Sequence, residues 1–220
     1  MSAEFSWAKQ TAKSTPLGVS ADGAPTRSAA SALRDAVTSL RHHGLAKGTK
    51  VETPTGLVAV ETLVEGDLVC TASGDTQALR RIRSWSVEGD SFCAPVYLQA
   101  GVLGNDNELR MVPSQKIILS GYDVEMYFGC EEAEICATDL VALGLAEIDE
   151  CAETYFELTL ERAEPILAEG LAVETPDCPV SYDFHDEAQM LSAMCARLVL
   201  RADETRLIAS LRQSSSVPVH

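Results

Sequence analysis

His42 and His43 stand side by side directly before Gly44. Two imidazoles that titrate near neutrality could ligate a metal or serve as a general base. Adjacent residues of a helix point in different directions, however, and a helix C-terminus favours cationic side chains in any case, so the structural reading is the better one. Cys130, Cys136 and Cys151, with carboxylates nearby, form a second constellation that a metal could use. Their spacing fits no familiar site, the seven cysteines include no CxxC pair, and no histidine stands at zinc-finger distance. They read as thiols packed like small hydrophobes. Glu131, Glu132, Glu134, Glu147, Asp149, Glu150 and Glu153 gather into an acidic stretch. A docking surface or a divalent-cation site is conceivable there, but a solvated face is the plainer reading. Pairs such as Asp149 and Glu150 are too common in so acidic a chain to argue for acid–base catalysis. No Gly-rich phosphate loop, nucleophile elbow or HExxH motif is present. Neither a cofactor nor a metal is expected.

The elements that must position these groups follow from periodicity. Residues 1–27 are rich in Ser, Thr, Ala, Gly and Pro and carry few large apolar side chains, so they are expected to form a flexible arm, with Phe5, Trp7 and Leu17 as its anchors for any partner. Residues 28–43 space Leu33, Val37 and Leu40 as one face of an amphipathic helix that stops at Gly44. From 44 to 176 the pattern becomes short apolar runs broken by turn signals, as at Pro54-Thr55-Gly56, Glu65-Gly66-Asp67 and Gly104-Asn105-Asp106. Phe156, Leu158 and Leu160 alternate on one face of a strand. The stretch from Ala137 to Leu145 fits a helical turn or a strand pair equally. Residues 177–213 return to helical spacing at Met190, Leu191, Met194, Leu198, Leu207, Ile208 and Leu211, and 214–220 form a tail.

With 220 residues and 46% hydrophobic content, the chain can bury a sizeable core. Its formal charge of -16 disfavours nucleic acid and anionic membrane surfaces, which cationic side chains must bind. No apolar run is long enough to span a membrane, and the first 25 residues lack the apolar core of a secretory signal, so a cytoplasmic location is expected.

One series of turns is more specific than a generic hairpin. Gly48-Thr49-Lys50-Val51-Glu52-Thr53-Pro54-Thr55-Gly56, continuing through Val60-Glu61-Thr62-Leu63 to Glu65-Gly66-Asp67-Leu68-Val69, resembles the opening block of Hedgehog/intein (Hint) domains. Gly48, Thr49, Gly56, Gly66 and Asp67 are its framework turns. The stretches Val96–Gly104, Val112–Leu119 and Leu160–Gly170 are similar, in that order, to the bacterial Hint subtype. The resemblance spans residues 44–176. It implies a mainly β horseshoe of many short strands, with the N-terminal helix and the C-terminal helices packed outside it.

The same resemblance implies self-processing chemistry, and this sequence departs from it at each reacting position. The family's first residue is a Cys or Ser that attacks the carbonyl before it. The matching residue is Gly44, which has no attacking atom. The family's central histidine is matched by Lys116, and the Ser or Thr three residues before it by Pro113. Lysine is a poor substitute, being cationic unless burial shifts it by several pKa units. A further histidine is matched by Ala163, and the terminal His-Asn pair of inteins is missing from Leu171–Pro176. The expected function is therefore that of a catalytically inactive Hint-like protein, an interaction or structural module that could serve as a subunit of a larger assembly. Its protein partners would engage the arm or the C-terminal helices. The alternative is a self-cleaving protein that uses unconventional groups near Gly44, with Lys116 assisting.

Overall fold

The computed structural model describes residues 43–88, 94–176 and 197–215, all within one compact unit that spans Thr38–His220. The expected arm, residues 28–42 of the expected helix and residues 177–196 of the C-terminal extension lie outside the described residues.

The turn-punctuated region folds as two seven-stranded sheets. One contains β1 (Leu45–Ala46), β4 (Leu68–Cys70), β5 (Thr76–Val87), β6 (Val96–Leu98), β7 (Leu109–Met111), β10 (Glu147–Ile148) and β11 (Glu153–Leu160). Its order is β10-β6-β7-β1-β11-β5-β4. The other contains β2 (Lys50–Thr53), β3 (Gly56–Ala59), β8 (Lys116–Ser120), β9 (Glu132–Cys136), β12 (Ile166–Ala168), β13 (Leu171–Val173) and β14 (Leu198–Val199), ordered β14-β9-β8-β13-β12-β2-β3. Helices α1 (Tyr122–Phe128), α2 (Ala137–Ala142) and α3 (Ala202–Ser215) accompany them. The expected mainly β architecture is the one that forms.

Apolar side chains from both sheets build one core, in which Val51, Leu98, Leu109, Met111, Ile117, Leu119, Ile135, Leu160 and Ile166 are essentially inaccessible. Each contributes on the order of 1.5–3 kcal/mol relative to exposure. The face expected from Phe156, Leu158 and Leu160 does point inward, but Tyr155, Glu157 and Thr159 on the opposite face are buried too. Tyr155 packs there with Ala46, Val112, Trp85 and Val87 in a second, smaller cluster.

One turn departs from ordinary backbone preference. Ala168 faces Leu171 across the β12–β13 hairpin, and both loop residues, Glu169 (φ 48°) and Gly170 (φ 79°), have the positive φ that a type I′ turn needs. Glycine takes this freely, whereas glutamate does not. Glu169 offsets the strain with a buried carboxylate that accepts the Lys50 N–H at 2.6 Å and Asn107 Nδ2 at 2.8 Å. The hairpin is thereby tied to the start of β2.

Two parts of the expected C-terminal helix are corrected. Leu198, expected at helical spacing, forms β14 with its neighbour Val199, and the strand pairs in parallel with Ala133 and Glu134 of β9. Extending a sheet satisfies their backbone groups, and the helix starts only after Leu200, where Glu204 reaches back to the Arg201 N–H at 2.8 Å as the third residue of a capping box does. The helix also runs to Ser215, into the segment expected to be tail. The open stretch from Ala137 to Leu145 resolves as α2 followed by a turn. His43, the last residue of the expected N-terminal helix, is not helical but leads straight into β1.

Arg212 fastens α3 to the rest of the fold. It meets Asp123 at the start of α1 at 2.8 Å and donates to the Ser120 carbonyl at 2.8 Å and the Leu103 carbonyl at 3.3 Å. Burial acts to raise the Asp123 pKa, but the hydrogen bonds and charge of Arg212 outweigh it and hold the carboxyl below its ordinary value. A depressed carboxyl stabilises the fold fully above its unfolded pKa of about 3.9 and loses that stabilisation as pH falls through the folded value. Arg212→Ala is expected to cost about 2 kcal/mol at neutral pH, and the gap to wild type should narrow on acidification below about pH 4 as the Asp123 contribution is lost. Urea melts from neutral to acidic pH read both quantities; a gap that stays constant would sink the assignment.

Candidate functional site

The residues flanking the domain converge. His43, Gly44 and Leu45 at its start line one shallow cleft with Val173, Glu174, Thr175 and Pro176 at its end, over a floor of Phe156, Leu158 and Ile166. Topology brings the two ends together: β1 pairs with β7 and β11 in one sheet, while β13 pairs with β8 in the other.

Gln115 joins them. This side chain, only 1% exposed, accepts the Gly44 N–H at 2.9 Å through Oε1. Its Nε2 donates to the carbonyls of Glu174 at 2.9 Å and Lys116 at 3.1 Å. At the next peptide group, the Gly44 carbonyl accepts the Val112 N–H at 3.0 Å. The backbone at residue 44 is therefore held from both sides.

No room is left for a side chain there. A Cβ on Gly44 would lie 2.9 Å from Trp85 Cη2 and 3.1 Å from Val112 Cγ1. Trp85 is steadied by Tyr155, with ring centroids 5.7 Å apart and planes tilted by 42°.

Lys116, the first residue of β8, is not part of the cleft lining and stands in a network of charges. Its ammonium lies 3.2 Å from Glu134 and 3.6 Å from Glu174. Glu174 also faces Arg197 at 3.7 Å and His43 at 4.0 Å, and Arg197 meets Glu132 at 2.6 Å. Burial acts to lower the Lys116 pKa, but the charge of Glu174 and the hydrogen bond to Glu134 outweigh it and hold the pKa above the ordinary lysine value. A lysine held in that way is a cation and not a base at neutral pH.

The other positions singled out in the sequence fall outside the cleft lining. Pro113 is half-buried, and its carbonyl accepts the Thr138 N–H at 3.1 Å. Ala163 is exposed in the β11–β12 loop, whose Glu164 carbonyl accepts the Thr175 hydroxyl at 2.9 Å. Gly48, Gly56 and Gly66 all have positive φ, as their turns demand. Gly66 donates to the Leu79 carbonyl and the Asp67 carbonyl accepts the Leu79 N–H, both at 2.8 Å, so that turn extends the β4–β5 pairing. Thr49 is buried, its carbonyl accepting the Val60 N–H at 2.8 Å. Of the acidic stretch, Glu132, Glu134 and Asp149 are engaged by Arg197, Lys116 and Arg110. Among the described residues, no group of three His, Cys, Asp or Glu side chains is placed to hold a metal ion. No described helix is long and apolar enough to cross a membrane.

Sequence reasoning missed Gln115, Trp85 and Glu174. Gln115 lay inside the quoted Val112–Leu119 stretch, but nothing in its residue type marks a buried bridge.

A Hint domain family model matches residues 43–177, the interval bounded by the two ends that meet in the cleft. The chain belongs to the Hint domain family. Among solved structures, this Hint domain is similar to a bacterial intein-like domain from Clostridium thermocellum, at 14% identity over 62% of this chain and 100% of that one, with a TM-score of 0.43. It is similar also to a gp41-1 intein variant at 11% identity, covering 61% and 100% of the two chains with a TM-score of 0.44. The MchDnaB-1 intein follows at 13% identity, 60% and 99% coverage and a TM-score of 0.35. No curated protein matches the chain. Strand β14 and helix α3 lie beyond the matched interval, yet Arg197 and Arg212 bind them to it.

Proposed function

We propose that this Hint domain does not cut its own chain and acts instead as a protein-interaction scaffold. One observation carries the reading: the space that a nucleophilic side chain would need at residue 44 is filled by Trp85 and Val112. The ion pairs of Lys116 support it, because a lysine kept cationic by Glu134 and Glu174 cannot take a proton from an attacking group. Gly44, Pro113, Lys116 and Ala163 are on this reading the remnants of a reacting set. The turns at Gly48, Thr49, Gly56, Gly66 and Asp67 are the part of the family's design that the scaffold keeps.

The test is the intact mass of the full-length protein before and after long incubation with a thiol and with hydroxylamine, which would capture a thioester or ester. A single unchanged species at 23.6 kDa is expected. Fragments that match residues 1–43 and 44–220 would instead establish self-cleavage and remove the basis of the proposal.

A further inference from the structure

Among the described residues, strand β5 carries an open edge. On one side it pairs with β11 from Leu79 to Val87, whereas on the other β4 covers only Thr76 to Ala78 and the Gly66-Asp67 turn covers Leu79. Beyond that point, among the described residues, no strand pairs with the outer side of β5 up to Val87. Such an edge offers a row of backbone donors and acceptors to any extended chain that arrives.

That edge is also basic in a molecule of formal charge -16. Arg80, Arg81 and Arg83 crowd its first half, and Arg162 leaves the end of the neighbouring β11. Arg80 is engaged by Glu161, but the Arg81 and Arg83 side chains enter no ion pair among the described residues. The Nε of Arg81 is buried without a hydrogen-bond partner. Glu157, opposite Arg83 in register, is buried as well. Two residues apart on a strand, Arg81 and Arg83 project to the same face, so their period of two matches that of an incoming strand.

We infer that the outer edge of β5, from Arg80 to Val87, is a docking site for an extended acidic segment of a partner protein. The segment adds as a further strand through backbone hydrogen bonds, and carboxylates at every second position meet Arg81 and Arg83. Hydroxyl-bearing Ser84 and Ser86 lie on the alternate face. The net negative charge of the domain does not forbid this, because at physiological salt the screening length is about 8 Å, so that distant carboxylates are screened while Arg81 and Arg83 lie within reach of a docked peptide. The inference gives the interaction scaffold a surface and a class of partner. It depends on no catalytic group, so its test and the intact-mass test can fail separately.

The experiment uses the full-length protein and a fluorescein-labelled octapeptide of alternating Asp and Val, read by fluorescence anisotropy. Saturable binding is expected, weakened roughly tenfold or more by Arg81→Glu with Arg83→Glu, or by Arg83→Gln alone if the double variant does not hold its fold. N-methylation of alternate peptide residues should abolish binding, since it removes the strand hydrogen bonds and keeps every charge. Absence of saturation, equal binding of the Lys-Val counterpart, or indifference to the arginine substitutions would each overturn the proposal. So would a dimer that the same substitutions dissociate, because the edge would then serve a second copy of the chain.

Discussion

Replacing Gly44 by cysteine is expected to destabilise the protein by about 1–3 kcal/mol, and not to return a working nucleophile to the cleft. The new Cβ would meet the Trp85 ring at 2.9 Å and Val112 at 3.1 Å, while Gln115 and Val112 hold the residue 44 backbone in place, so neither side can give way cheaply. Trp85→Ala leaves a void of its own, yet it frees the space that the introduced side chain would need. The two changes together should therefore cost less than the sum of their separate effects by about 1 kcal/mol or more, as expected for residues in contact. Chemical denaturation of the four proteins gives the coupling. Thiol titration with Ellman's reagent, read as the increment over the seven native cysteines in the matching Gly44 background, adds an independent readout, slow in the single variant and faster once Trp85 is shortened. A Gly44→Cys protein as stable as wild type with a freely reactive thiol would mean that the cleft still accommodates a nucleophile.

Gln115→Leu carries the second large effect, a loss of about 2–4 kcal/mol. Leucine has nearly the same volume, so the change removes hydrogen bonds without opening much space. It leaves the Gly44 N–H without its acceptor and the Glu174 carbonyl without the Nε2 donor, at a position where Gln115 itself is 1% exposed. The Lys116 carbonyl keeps the Glu174 N–H at 3.0 Å and is less affected. Urea unfolding measures the loss. Amide exchange at Gly44 locates it, and the variant should exchange there much faster than wild type. A destabilisation under about 0.5 kcal/mol would show that water replaces the bridge at little cost.

The parts of this fold legible in the sequence are those set by short-range physics. The turns at Gly48, Gly56 and Gly66 announced themselves because positive φ there suits glycine. The alternation of Phe156, Leu158 and Leu160 marked β11, although it could not reveal that a second cluster around Tyr155 covers the other face. That cluster is assembled by residues from β1, β5, β7's end and β11, distant in sequence. Leu198 departs from its expected helical spacing for the same reason, since that spacing is local whereas pairing with β9 is not. In the site, Gly44 and Lys116 were found through resemblance to a family. Gln115, Trp85 and Glu174 were not, because a bridge, a steric plug and the hub of an ion-pair network are defined by what surrounds a side chain and not by its type.

The meeting of the domain's two ends in one cleft has a mechanical consequence. Tension applied between residues 44 and 174 would act on two positions bridged by the single side chain of Gln115. The force would bypass the two sheets at first and load that bridge, together with the Gly44–Val112 hydrogen bond. Until those bonds part, the residues between the two positions add almost nothing to the distance that separates them, and the pair behaves under load as a short, stiff link.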